Sequence, residues 1–242
     1  VRAQIIGMPT PQKEQQSSRV KDYMNWQIMD QMKEYEPEFD QMLFNLPLAG
    51  STFKKIYYDD LMQRAVSKFV PADDLVVPYT ATSLDDCESV IHIIKMTENE
   101  LRKKQVGGFY RDIEVNPSYM HETEIDKKER ALEGAVKGRD ERMFTILECH
   151  VNVDLEGFED VGAQGEPTGI KLPYIVAIEE GTRKVLSIRR NYDAQDMMKK
   201  KIDYFVHFKF LPGLGFYGFG LIHMIGGLSR TATAALRQLL DA

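Results

Sequence analysis

The sequence is short of cysteine. Its 242 residues contain only Cys87 and Cys149. Two thiols alone give no disulfide framework, and their spacing gives no C-x-x-C metal pair; both are expected as reduced thiols in or near the core. An excess of positive charge is also missing: 31 Lys and Arg stand against 37 Asp and Glu, a net charge of −6. Proteins that grip DNA through its phosphates gain from counterion release and carry a basic surplus, so tight non-specific DNA binding is disfavoured. The start, VRAQIIGMPTPQ, lacks a basic segment followed by an apolar run, so it does not read as a secretory signal. It also lacks an initiator Met, and the chain stops inside a helical pattern; both lead to the expectation of a segment of a longer protein. Uninterrupted apolar stretches are scarce. Phe210–Ser229 has 20 residues without a formal charge, but six glycines, a proline and His223 interrupt it. It reads as a buried or oligomer-facing entry to a helix rather than a membrane span.

Several catalytic arrangements are absent too. The cluster GLGFYGFG has no Gly-Lys-Ser/Thr to hold phosphate and magnesium, and does not form a G-x-G-x-x-G turn in a βαβ unit. Cys149 and His150 are adjacent, yet neighbours on a strand point to opposite faces, which argues against a Cys–His pair. His92 has no second metal ligand near it in sequence. Asp154, Glu156, Glu159, Asp160 and Glu166 make an acidic loop whose spacing does not match a calcium-binding EF-hand. No carboxylate stands beside a nucleophile or a histidine in a recognisable catalytic order.

What is present is a mixture of helical and strand patterns. A polar, Pro/Gln-rich lead-in is expected to run to Ser18, followed by a helix capped by Ser17 or Ser18 and ending about Tyr35. Pro37 suits the first turn of a second helix, Glu38–Asn45. Strand patterns follow at Phe53–Tyr58, Arg64–Val70, Leu75–Val77 and Glu88–Lys95. Thr97 and Glu100 form a capping box for a short helix that Gly107 and Gly108 terminate. Thr123–Val136 reads as a charged, solvated helix. Arg142–Phe210 reads as an antiparallel unit of about four strands, with a hairpin turn at Glu180-Gly181-Thr182-Arg183 and a polar connector containing Lys199, Lys200 and Lys201.

The last stretch organises the chain. A strand ends at Pro212, a glycine-rich corner follows (Gly213, Gly215, Gly218, Gly220), and a helix then starts near Phe219. Leu221, Met224 or Ile225, Leu228, Ala232, Ala235, Leu236 and Leu239 recur at helical spacing. Arg230 and Arg237 are seven residues apart and share another face. The fold class is therefore α+β: a helical segment at 1–50, a small mixed sheet with helix at 51–140, an antiparallel β unit at 141–212, and the glycine corner with a long helix at 213–242.

The run PGLGFYGFGLIHMIGGLSRTATAALRQLLDA, with the strands before it, resembles the portal proteins of tailed bacteriophages, the head-to-tail connector rings through which DNA is packaged. The matching positions are Phe208, Phe210, Pro212, Tyr217, Gly218, Gly220, Arg237 and Asp241. The stretch VVPYTATSLDDCESVIHIIKMTENELRKK is also portal-like, so the resemblance extends over residues 74–242. Family portals are much longer than this chain. The resemblance implies a non-enzymatic structural subunit without a cofactor, in a closed ring of about twelve copies. It implies wing-to-clip placement for 141–212 and a stem helix at the end. Terminase, head-completion or tail adaptor proteins, and scaffolding or capsid protein are the implied partners. Double-stranded DNA would pass through with weak contacts, without a membrane, at a unique vertex of the virion. Arg230, Arg237, Lys199, Lys200 and Lys201 are the candidate channel or intersubunit contacts. Pro212, Gly213, Tyr217, Gly218 and Gly220 form the strand-to-helix corner. The competing reading is a carboxylate-dependent hydrolase using the loop 154–166.

Overall fold

The computed structural model describes residues 3–60, 62–117, 143–161 and 166–240. In chain order the regular elements are α1 (Pro11–Trp26), α2 (Tyr35–Ala49), β1 (Ser51–Asp59), β2 (Arg64–Pro71), β3 (Leu75–Val76), β4 (Ser89–Thr97), α3 (Glu98–Val106), β5 (Met143–Val153), β6 (Leu172–Glu179), β7 (Val185–Arg190), β8 (Phe205–Lys209) and α4 (Leu221–Leu240). The mixture confirms an α+β class. The chain divides into two compact units, one of residues 1–72 and 203–242, the other of 73–202. The expected helix at 123–136, part of the acidic loop and Asp241 lie outside the described residues.

In the first unit the helical segment begins earlier than its sequence pattern indicates. Thr10, not Ser17 or Ser18, is the N-cap: its side chain accepts from the Lys13 N–H at 3.4 Å, and Pro11 takes the first helical position. A π-helical turn at Gln27–Gln31 ends this helix, and no residue of α1 is buried. The helix α2 is longer than expected at both ends. Pro47 sits in its last turns, where its missing N–H leaves out one bond without stopping the helix. The stop comes at Gly50, whose φ of 88° is the left-handed conformation that glycine tolerates, and its N–H closes on the Leu46 carbonyl at 2.9 Å.

The sheet of this unit has the order β2-β1-β8, antiparallel throughout. The last strand thus departs from the expected β unit at 141–212. Phe205 lies opposite Lys55 and His207 opposite Phe53, so its inward residues complete the core of the first unit. Phe53 is fully buried there, and Met42 of α2 nearly so. Polar ties hold α2 to the sheet. The Glu38 carboxylate accepts from the Phe69 N–H at 2.6 Å, and Arg64 donates to both oxygens of Glu34 at 2.7 and 2.9 Å. The Lys54 ammonium lies 4.1 Å from the centre of the Tyr35 ring.

The second unit is an antiparallel meander, β3-β4-β5-β6-β7. Strand partners follow in sequence order, and α3 lies in the connection from β4 to β5. Its core joins Met96, Leu101, Tyr110, Phe144, Ile146, Ala177 and Leu186. The capping box stands as the sequence indicates: Glu100 N–H donates to Thr97 Oγ1 at 3.3 Å, and Thr97 N–H donates to the Glu100 carboxylate at 3.1 Å. The β6–β7 turn is organised by the fully buried Glu179, whose carboxylate accepts from the Gly181 and Thr182 N–H groups at 2.7 and 2.6 Å. Cys87 and Cys149 are buried free thiols, as expected, and burial pushes both above the ordinary thiol pKa.

Candidate functional site: the glycine corner and its helix

After β8 the chain turns back on itself. Leu211 and Phe219 form an isolated antiparallel bridge, with N–H···O distances of 3.3 and 2.8 Å, and this closes the loop Pro212–Gly218. Phe216 folds inward from the loop and is buried. Its ring stacks on His207 at 4.7 Å between centroids, and His207 stacks on Phe53 at 4.4 Å.

The end of α2 forms the other wall. Phe210 N–H donates to the Gly50 carbonyl at 3.0 Å, and Gly218 N–H donates to Ser51 Oγ at 2.8 Å. Backbone lies directly on backbone here. A Cβ at Gly218 would fall 2.6 Å from the Gly50 oxygen and 2.7 Å from the Leu211 oxygen. A Cβ at Gly220 would collide with the Leu48 carbonyl. The glycines at 218 and 220 are therefore required by close approach. Gly213 is confined in the same way, since its Cβ would lie 2.5 Å from the Tyr217 oxygen. Pro212 follows the bridge residue Leu211, and Tyr217 sets its ring edge-on to Phe216 at 5.0 Å. All five corner residues drawn from the sequence belong to one closed structure. Sequence reading missed Gly50, Ser51 and His207, which come from distant elements and carry no local motif.

Ser51 Oγ lies 3.1 Å from His207 Nε2. Gly218 N–H can only donate, so it takes one lone pair of the Ser51 oxygen; with the ring proton assigned to Nδ1, the Ser51 O–H donates to Nε2 of the neutral imidazole. Burial first, and the charge of Lys209 second, hold the His207 pKa down at about 4.

The first turn of α4 is fixed to this corner. Gly220 N–H donates to His223 Nδ1 at 3.1 Å, while the N–H groups of His223 and Met224 return to the Gly220 carbonyl at 3.1 and 3.3 Å. The helix then leaves the corner with no buried residue along its length. At 100° per residue, Leu221, Ile225, Leu228, Ala232, Ala235 and Leu239 fall on one narrow stripe with 4-3-4-3-4 spacing. Leu228 is 73% and Leu239 75% exposed, so the described residues leave this stripe largely uncovered. Arg230 and Arg237 lie on the opposite side, where they line a shallow depression with Gly226, Ser229, Thr233 and Ala234. Neither arginine makes an ion pair among the described residues.

The three lysines belong to the second unit. Lys199 is in the left-handed region at φ 45° and pairs with Asp160. Lys201 Nζ donates to the Leu84 and Asp85 carbonyls at 2.7 and 3.1 Å. Both fasten loops to each other. Lys200 contributes its backbone N–H to Asp196 at 3.2 Å, and its side chain is exposed.

In the acidic loop, hydrogen bonds from Lys199 and Thr168 hold Asp160 below the usual carboxylate range. Backbone N–H groups, including that of Gly157, do the same for Glu159. Among the described residues no group of three or more His, Cys, Asp or Glu is placed to hold a metal, and no helix is long and apolar enough to cross a membrane. His150 Nε2 bonds the Glu148 carboxylate at 2.8 Å, two positions along the same strand face, while Cys149 points to the other face. The chain matches no protein-family model, and no characterised protein matches it.

Proposed function

We propose that this chain is part of a structural subunit of a phage portal ring, the connector through which DNA enters and leaves the capsid. The observation that carries the reading is α4: 20 residues with an uncovered apolar stripe, two arginines on the opposite side, and a root fixed by backbone contacts. A helix this exposed gains little from its own chain, and most helical stability in proteins comes from packing an amphipathic face. Neighbouring copies would supply that packing. Arg230 and Arg237 would then be directed away from the seam, toward a channel or toward a neighbour's carboxylates. The net charge of −6 suits a passage in which DNA slides without being gripped. Terminase during filling, and adaptor or tail proteins afterwards, are the partners that this reading assigns to the ring.

The test is sedimentation of the full-length protein without detergent, beside the Leu228→Glu variant. A large, discrete oligomer that L228E converts to monomer supports the reading. A wild-type monomer across protein and salt concentration contradicts it. A hydrolase built on the loop 154–166 has no specific observation in its favour, because Glu159 and Asp160 are occupied in holding that loop together.

A further inference from the structure

Ser51, His207 and Gly218 stand in one relay: an amide donating to a hydroxyl, and the hydroxyl donating to an imidazole. The relay is the point at which the end of α2, strand β8 and the glycine corner meet. Ser51, at its centre, is 2% exposed. With the ring proton on Nδ1, the bare Nε2 is the acceptor that the described residues offer the Ser51 O–H. A proton on Nε2 removes that acceptor, leaving a buried hydroxyl hydrogen unpaired and a charge in a desolvated site, a cost that the Phe53 and Phe216 faces offset only in part.

We infer that Ser51 and His207 form a proton-operated latch on the glycine corner: with a neutral imidazole the corner is locked and α4 is held in direction, and protonation of His207 releases the corner, and with it the root of α4. This stands on the geometry of the first unit and does not depend on ring formation.

The surroundings of His207 favour release once it is charged. From β1 the ring meets Ser51 and Phe53, with Lys55 further along the same face. From the corner it meets Phe216. On its own strand the nearest ionisable neighbour is Lys209. The ionic neighbours are thus cationic, and none of the hydrogen bonds described for the ring comes from a carboxylate. The closed form holds the imidazole near a pKa of about 4 against an ordinary 6.5. Because the folded value is depressed, the stabilisation from the neutral form is full above 6.5 and falls away as pH drops toward 4. With one proton taken up on opening, the opening constant rises about tenfold per pH unit within that window.

The experiment is hydrogen exchange of the intact chain, read by mass spectrometry from pH 7.5 to 4 and corrected for the intrinsic chemical rate. The expected result is that protection of amides 211–220 falls about tenfold per pH unit below 6.5, while amides of β4 and β5 keep theirs. His207→Phe retains the stack and does not titrate, so its corner should show no such slope. A flat wild-type profile overturns the latch, as does an unchanged slope in H207F. An independent reading needs no variant. In an NMR titration of the wild type, the His207 ring and the Gly218 amide must move together. A Gly218 transition without a matching His207 transition overturns the inference.

Discussion

Gly218 donates its N–H to Ser51 Oγ at 2.8 Å, although 167 positions separate the two residues. This bond joins the first residue of β1 to the glycine corner, and the corner in turn carries α4. The direction in which the terminal helix leaves the unit is therefore set by the packed core, not by a free linker. The close approach of Gly50, Gly218 and Gly220 makes the joint stiff, since backbone atoms cannot rotate away as side chains can.

Gly218→Ala and Gly220→Ala should each destabilise the first unit by about 1–3 kcal/mol or more, the usual cost of forcing extra atoms into a packed interior. Gly215→Ala should be close to neutral, because a Cβ there meets nothing within 4 Å. Urea unfolding of the three variants checks this. Equal effects at 215 and 218 would show that the corner is looser than described.

Lys54 is 4% exposed, and its ammonium has no hydrogen-bond partner among the described residues. Burial lowers its pKa from 10.5, with the Glu38 charge acting the other way. Below the lowered pKa the charged form burdens the fold, so wild-type stability should rise as pH increases toward 10.5. Lys54→Met should raise stability at pH 7 by about 1 kcal/mol or more and abolish that part of the alkaline rise. Urea midpoints of both proteins at pH 7 and pH 10 provide the comparison. A destabilised K54M would mean that the contact with the Tyr35 ring outweighs desolvation.

Much of this fold could be read from its sequence, because the signals were local. The Thr97–Glu100 capping box, the turn after Glu179 and the strands at Phe53–Tyr58 and Arg64–Val70 each follow from a few neighbouring residues. The terminal helix was equally plain from its apolar spacing. At the start of α1 two capping signals compete, and Thr10 followed by Pro11 prevails over Ser17 and Ser18. The partner of β8 could not be read. Alternating aromatic residues fix which face of a strand is buried, but not which of two sheets receives it. The corner's glycines were visible as a cluster, whereas their cause lay in Gly50 and Ser51, and nothing near those residues in sequence points to residue 218.

Arg230→Ala and Arg237→Ala should each leave the stability of the isolated chain within about 0.5 kcal/mol, as for surface positions without special contacts. Neither side chain makes an ion pair among the described residues. Thermal unfolding checks this. If the chain keeps its stability while the doubly substituted protein assembles poorly, the arginines act outside the subunit. A large loss of stability in the monomer would place their partners inside it.

On the portal reading proposed above, α4 and its corner are parts of a ring. The most direct measurement is negative-stain electron microscopy of the full-length protein, purified without detergent. A portal subunit should appear as closed rings with a central hole of about 20 Å or more, wide enough for a B-DNA duplex. A field of uniform monomers or dimers at high protein concentration and across salt conditions would contradict it.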